Sequence, residues 1–316
     1  MILLNSFPNI KTLKAQIEKG YFQDKKKQIY QKGFPSVIIS ANTQKEERTD
    51  VRASLSLFMN IDGVSECRVD EKDRKITSDF FFLSNRGQPY SLFMEEPVKT
   101  FNIHFGDEFV EKLLPTLALN YEDLLENYNF SNSNFSAKTI EFPNKLYRKT
   151  PQFLAILQKI QKAHQNNYQN KLFWEEEMTN LFLYLLSERK DSILDIKRIP
   201  VLKNSTKTEI YQRLSYAMDF LQIYFHQNID LEILAATACL SKFHFLRLFK
   251  AVFGFSPYQY IQHLRIQKAK TLLQKTNIPI YQIAIELGFQ NATSFSRLFF
   301  KKTNYYPNYY RNQSGK

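Results

Sequence analysis

The sequence predicts an α+β chain: a β-rich N-terminal domain flanked by helices, then an all-α C-terminal domain with two helix-turn-helix units. Three observations predict it. Short apolar runs broken by turn residues fill positions 34–105, apolar residues recur at helical spacing over 151–188, and the last hundred or so residues carry one short pattern twice. With 316 residues the chain is long enough for two domains that each bury a core. The boundaries place one domain at 1–190, a linker at 191–207 around Pro200, Asn204 and Ser205, and a second domain at 208–316.

Residues 1–33 are polar and lysine-rich around Lys25, Lys26 and Lys27, with room for an early strand or two. Strands are expected at 37–39, 53–59, 64–69, 80–83, 90–94 and 100–105. Six short strands at this spacing suggest a sandwich or barrel. Helices are expected at 107–119 and 121–128, with a break at Ser131, Asn132, Ser133 and Asn134. Two stronger helical patterns cover 151–165 and 171–188, and Pro151 suits a first helical position. Their apolar stripes, Phe153, Ile156, Leu157 and Ile160, then Phe173, Met178, Leu181, Phe182 and Leu185, would pack on the strands or serve in part as a dimer interface.

The doubled pattern is specific. Leu234 and Ala235, Cys239, Ser241, Phe245 and Arg247-Leu248-Phe249 lead into Gly254-Phe255-Ser256-Pro257. Ile283 and Ala284, Gly288, Asn291, Phe295 and Arg297-Leu298-Phe299 lead into Asn304-Tyr305-Tyr306-Pro307. Phe249 to Pro257 and Phe299 to Pro307 are equally spaced, as expected of one helix-turn-helix built twice. The first short helix would turn at Cys239 or Gly288, and Ser241 or Asn291 would cap the second helix, the one shaped to enter a DNA major groove. Tyr258, Tyr260 and residues 265–275 belong to a long helix joining the units, a spacer that would set the recognition helices near one DNA turn apart, ~34 Å.

Over about 208–312 the chain resembles the DNA-binding domain of the AraC/XylS family of bacterial transcription regulators. The resemblance rests on residues 217–221, 231–235, 241–250 and 254–257, on Arg265, Ala269, Leu272 and Leu273, and on Ile280, Ile283, Ala284, Gly288, Phe289, Pro307, Tyr310 and Arg311. Two positions depart from the family pattern: Asn304-Tyr305 replaces the usual glycine region before the last proline, and Tyr306 replaces a small hydroxyl residue. Asn tolerates the left-handed backbone, so the turn should survive. Residues 80–92 with 101–105 more faintly resemble the small cupin-like barrel that many of these regulators carry as a sensor. The resemblance implies double-stranded DNA as partner, a small-molecule effector in the barrel, a homodimer, and RNA polymerase as a contact if the protein activates; a cytoplasmic location is expected from the lack of a signal-peptide core and of an apolar membrane span. Two alternatives stay open: a cupin-type metal-dependent enzyme, and an effector-independent regulator whose barrel serves only dimerisation.

Charge agrees once it is divided. Residues 205–316 hold 14 Lys and Arg against 5 Asp and Glu, a net +9 of the chain's +12, the footprint expected of a phosphate-binding segment. Two cysteines, Cys67 and Cys239, suggest neither a disulfide framework nor zinc. Asn5, Pro8, Lys11 and Lys14 interrupt any signal-peptide core, and no run of ~18 apolar residues offers a membrane span. Against the enzyme alternative, the barrel region holds one histidine, His104, read as structural, and no Gly-rich phosphate loop or nucleophile elbow is found. No cofactor, metal or catalytic residue is expected.

In the first recognition helix Phe245, Leu248 and Phe249 take the core by spacing, leaving Lys242, Phe243, His244, Leu246, Arg247 and Lys250 as DNA-contact candidates. In the second Phe295, Leu298 and Phe299 take the core, leaving Ala292, Thr293, Ser296, Arg297 and Lys301. Lys250 and Lys301 are read either as phosphate contacts or as plain solvated lysines. Arg247 and Arg297, at equivalent positions, offer forked donors to guanine or phosphate, or else pair with an acid to hold the repeat together. The first unit has the richer exposed face and is expected to be the sequence reader.

Overall fold

The structure is a computed structural model that describes residues 1–9, 21–24, 29–118, 140–201 and 203–314. It divides into two compact units, Met1–Ile193 and Leu194–Lys316. The expected helix at 121–128 and its break, and Lys25 to Lys27, lie outside the described residues.

The N-terminal unit contains β1 (Ile2–Leu4), β2 (Tyr21–Asp24), β3 (Ile29–Lys32), β4 (Val37–Thr43), β5 (Glu46–Val51), β6 (Leu55–Asp62), β7 (Ser65–Val69), β8 (Lys72–Ile76), β9 (Phe80–Ser84), β10 (Tyr90–Met94), β11 (Val98–Phe105) and β12 (Leu146–Arg148). Its helices are α1 (Asp107–Ala118), α2 (Pro151–Gln165) and α3 (Lys171–Lys197). The strands form a six-stranded sheet ordered β1-β4-β11-β6-β9-β12 and a four-stranded sheet ordered β5-β10-β7-β8, with β2 and β3 paired separately. The region expected to form a barrel is thus a pair of facing sheets. All six expected strands are present. Of those not foreseen inside 34–105, β5 and β8 are the two edges of the smaller sheet. They read EERTDV and KDRKI, because an edge strand with one wet face carries charge where an inner strand carries apolar residues.

The large sheet is buried on both faces, which explains why β6 and β9 lack clear alternation. Leu55, Leu57 and Met59 of β6, Phe81 and Leu83 of β9 and Phe101, Ile103 and Phe105 of β11 point to one side. There they share a core with Phe153, Leu157 and Ile160 of α2 and Met178, Leu181, Phe182 and Leu185 of α3. Those helical stripes therefore cover the protein's own sheet, and each fully buried Phe or Leu contributes about 2–3 kcal/mol.

The opposite side faces the small sheet and is more polar. Phe58 meets Tyr90 at 4.6 Å, and Asn60 Nδ2 donates to Ser65 Oγ at 3.0 Å and to the Ile76 carbonyl at 2.6 Å. His104 lies here, edge-on to Phe58 at 5.9 Å. Ser56 Oγ donates to the Ser54 carbonyl at 2.7 Å, so it accepts at 2.7 Å the proton that His104 carries on Nδ1. Burial, with the Arg48 charge adding to it, pushes the His104 pKa down to about 4. The imidazole is neutral in the fold and would take up a proton on unfolding, so its contribution to stability is present above pH 6.5 and is lost as pH falls from 6.5 toward 4. That drop is worth on the order of 2–3 kcal/mol. Denaturant titration between pH 7 and 4, followed by the fluorescence of the single tryptophan, Trp174 on α3, should show a shallower pH dependence in His104→Gln than in the wild type. Parallel curves would mean that His104 is not the group responsible.

Between 191 and 207 the expected linker is largely helical. α3 continues to Lys197, with Ser192 fully buried, and α4 starts at Asn204. The unit division falls at Ile193/Leu194, inside α3. Ile196 and Ile199 are buried in the core of the C-terminal unit and hold the segment in place.

The C-terminal unit comprises α4 (Asn204–Tyr224), α5 (Leu231–Thr237), α6 (Lys242–Phe253), α7 (Pro257–Lys275), α8 (Ile280–Glu286), α9 (Ala292–Thr303) and α10 (Pro307–Ser314). Leu234 and Ala235 of α5 pack with Phe245, Leu248, Phe249 and Val252 of α6, against Leu214, Ala217 and Leu221 of α4 and Ile261 of α7. A second core joins Ile283 and Ala284 of α8 to Phe295 and Phe299 of α9, against Ile266, Ala269 and Leu273 of α7. The joining helix therefore belongs to both cores, which fixes one unit relative to the other.

Candidate nucleic-acid interface

The two helix-turn-helix units are closed by the same backbone device. Cys239 and Gly288 both adopt left-handed backbone, with φ of 51° and 79°. In the first turn Cys239 N donates to the Ala236 carbonyl and Leu240 N to that of Ala235, both at 2.9 Å. In the second, Gly288 N donates to the Ile285 carbonyl and Phe289 N to that of Ala284, again at 2.9 Å. α6 and α9 also end alike. Gly254 (φ 78°) and Asn304 (φ 61°) are left-handed C-caps whose N–H groups bond the carbonyls of Lys250 and Phe300. The departure at Asn304 thus preserves the turn.

The caps at the other end differ. Asn291 Oδ1 accepts from Ser294 N at 2.8 Å, so it is a helix cap, whereas Ser241 has cap-like backbone but no side-chain cap bond.

On α6, Lys242, Phe243, Arg247 and Lys250 are exposed, and His244 and Leu246 are half-buried. On α9, Thr293, Arg297 and Lys301 are exposed, and Ala292 and Ser296 are half-buried. Phe245, Leu248, Phe249, Phe295 and Phe299 are buried as spacing required, while Leu298 is only partly so. Phe243 is 88% exposed, so a large apolar side chain stands in solvent on the second residue of α6. The positions i, i+3, i+4 and i+7 form one strip: Phe243, Leu246, Arg247 and Lys250 in the first unit and Thr293, Ser296, Arg297 and Phe300 in the second.

Neither Arg247 nor Arg297 makes an ion pair or hydrogen bond to another described residue, so neither holds the repeat together by pairing with an acid. Lys242 is different, because its ammonium pairs with Glu232 of α5. Both partners are exposed, and such a pair is worth at most about 1 kcal/mol, so a phosphate can compete for the lysine. The arginine that is structural is Arg265 of α7. It donates to the carbonyls of Phe225, Gly288 and Gln227 at 2.8, 3.0 and 2.9 Å, and its guanidinium lies 5.3 Å from the centre of the Phe289 ring.

The residue that sequence reasoning missed is Phe300. The sequence places Lys301 among the contact candidates of the second helix, yet the fifty-residue offset that aligns Arg247 with Arg297 aligns Lys250 with Phe300. Counting the offset through would have found it.

A cleft of about 600 Å³ opens in the N-terminal unit on the helix side of the large sheet, with Leu3, Phe109, Lys112, Trp174, Glu175 and Met178 in its wall. Among the described residues no group of three His, Cys, Asp or Glu side chains could hold a metal ion, and no helix is long and apolar enough to cross a membrane. Cys67 and Cys239 are free thiols, and burial pushes the Cys67 thiol up to about 12.

Residues 234–313 match the family model described as a helix-turn-helix domain. The regulator MtrA of Neisseria gonorrhoeae is 35% identical over 88 residues, 28% of this chain and 29% of its own length. The MmsAB operon regulatory protein of Pseudomonas aeruginosa is 36% identical over 92 residues, 29% of this chain and 30% of its own length. The chain therefore spans about a third of the length of the curated relatives it matches. A solved Chromobacterium violaceum regulator, described as having an AraC-type DNA-binding domain, aligns at 28% identity over 33% of this chain and 93% of that one, with a TM-score of 0.31. The doubled unit with its shared turn geometry thus lies in a stretch, residues 234–313, that matches a helix-turn-helix domain.

Proposed function

We propose that this protein is a sequence-specific transcription regulator that binds double-stranded DNA through α6 and α9 and is controlled through its N-terminal unit. The observation that carries the reading is the pair of exposed, unpaired arginines at equivalent positions of two helices tied together by α7. The net +9 of residues 205–316 supports it. An N-terminal unit with its own core suits a sensor. A small molecule there would act by binding the DNA-competent arrangement better or worse than the incompetent one. The helix-side cleft of about 600 Å³ has the size of an ordinary small-molecule site. A homodimer in the cytoplasm, and a contact with RNA polymerase where the protein activates, complete the proposal. The reading is of a regulator without catalysis: MtrA and the MmsAB operon regulatory protein are named as regulators, and His104 is engaged by Ser56.

The test is binding of the full chain to the duplex upstream of its own gene, measured at 50–200 mM salt. Each phosphate neutralised by Lys or Arg should add about 0.9 to the slope of log affinity against log salt. A folded protein with no salt-sensitive binding to this or random duplexes would sink the proposal.

A further inference from the structure

We infer that the second unit grips DNA with an aromatic clamp, Phe300 stacked on Tyr306, at the place where the first unit presents Lys250, and that the clamp packs on the deoxyribose wall of the groove. This rests on the reading of the C-terminal unit as DNA-binding.

The two units are alike in backbone and differ here in chemistry. Fifty residues separate Lys250 from Phe300 and Ser256 from Tyr306. In the first unit Ser256 caps α7: its Oγ accepts from Gln259 N at 3.2 Å while Ser256 N donates to Gln259 Oε1 at 2.8 Å. Tyr306 has no short side-chain oxygen for that task, so helix capping does not explain it. Its ring instead stacks on Phe300, centroids 4.6 Å apart and planes 26° from parallel. Both rings remain 42% and 59% exposed, so the pair is not a core contact that failed to close. Tyr305 and Tyr309 stack alongside at 5.4 Å, also exposed.

Charge decides what such a surface meets. No Asp or Glu occurs from Ala292 to Ser314, and Arg297, Lys301 and Lys302 flank the rings without an acidic partner among the described residues. An apolar pair set in uncompensated positive charge suits a surface that is anionic at its edges and apolar between them, as the sugar-phosphate backbone is. Phe300 also belongs to the strip of Thr293, Ser296 and Arg297, so a helix lying in the groove carries it against the same DNA. It sits toward the C-terminal end of α9, while base edges are read from a recognition helix's N-terminal end. Its neighbour is therefore the groove wall. There the contact is indifferent to sequence and to salt, where that of Lys250 is electrostatic.

The test uses the full chain and its upstream duplex, with a random duplex beside it, at 50–200 mM salt. Phe300→Ala should weaken binding to both duplexes alike by about tenfold, the factor carried by burying about half a phenyl ring, and leave the salt slope unchanged. Phe300→Lys should recover affinity at 50 mM and raise the slope by about 0.9, making the second unit behave as the first. The inference falls if Phe300→Ala binds as the wild type does. It falls equally if that variant keeps DNA binding but loses mass in light scattering, since the rings would then form a protein interface. A wild type without salt-sensitive binding would instead overturn the reading on which the inference rests.

Discussion

Arg265→Ala is expected to remove much of the stability of the C-terminal unit. The guanidinium bonds three backbone carbonyls that have no regular helical partner there: Phe225 and Gln227 just past α4, and Gly288 in the turn between α8 and α9. One side chain thus ties the end of the opening helix to the turn of the second unit. With each charged hydrogen bond worth about 1–2 kcal/mol at this half-exposed position, the loss is about 3–6 kcal/mol, a large part of a typical domain's 5–15. Arg265→Lys should recover little of it, because an ammonium has no planar fork to reach three acceptors. Gly288→Ala strikes the same corner. Its new Cβ would collide with the His226 carbonyl oxygen at a backbone with φ of 79°. Far-UV circular dichroism in denaturant should show an early helical transition in both variants. The fluorescence of Trp174, in the N-terminal unit, should keep its midpoint. An unchanged helical transition would remove Arg265 from the role of clamp.

How much of this was legible in the sequence differs between the two units for a physical reason. The doubled unit declared itself because its turns demand particular residues at fixed spacing: left-handed positions at Cys239, Gly288, Gly254 and Asn304, and buried rings at Phe245, Phe249, Phe295 and Phe299. Strands with an apolar face on the helices or on the opposite sheet were legible too. β5 and β8 were not, since charged edge strands look like loops to any argument from hydrophobic pattern. The helical character of the segment between the units was hidden for the complementary reason: Ser192, Ile196 and Ile199 are too sparse to show a period, and only tertiary packing makes them core. Lys242 and Arg265 show what no local pattern carries. That Lys242 is paired with Glu232, and that Arg265 gathers three carbonyls, depends on groups 10 to 40 residues away.

Replacing both Arg247 and Arg297 with alanine is expected to abolish preference for the natural site, at a cost of about 2–6 kcal/mol if each reads a guanine through two hydrogen bonds. The single variants separate reading from positioning. A base-reading arginine loses about 1–3 kcal/mol on the natural site and relaxes preference at one base pair, while binding to random duplex changes little. A phosphate-bound arginine weakens binding to every sequence and lowers the salt slope by about one unit. The two helices should not answer alike. α6 carries a free arginine beside an 88% exposed Phe243, and an apolar ring near a groove can meet a thymine methyl while the arginine takes a guanine. α9 offers Thr293 and Ser296 beside Arg297, and its far end turns aromatic at Phe300. Arg247→Ala should therefore shift the selected sequence, and Arg297→Ala should act more on affinity and salt slope. Selection from random duplexes with each variant, at one fixed salt concentration, reads both effects at once. Unchanged affinity and unchanged preference in both variants, with circular dichroism intact, would take these arginines off the binding surface and leave their exposure without a function.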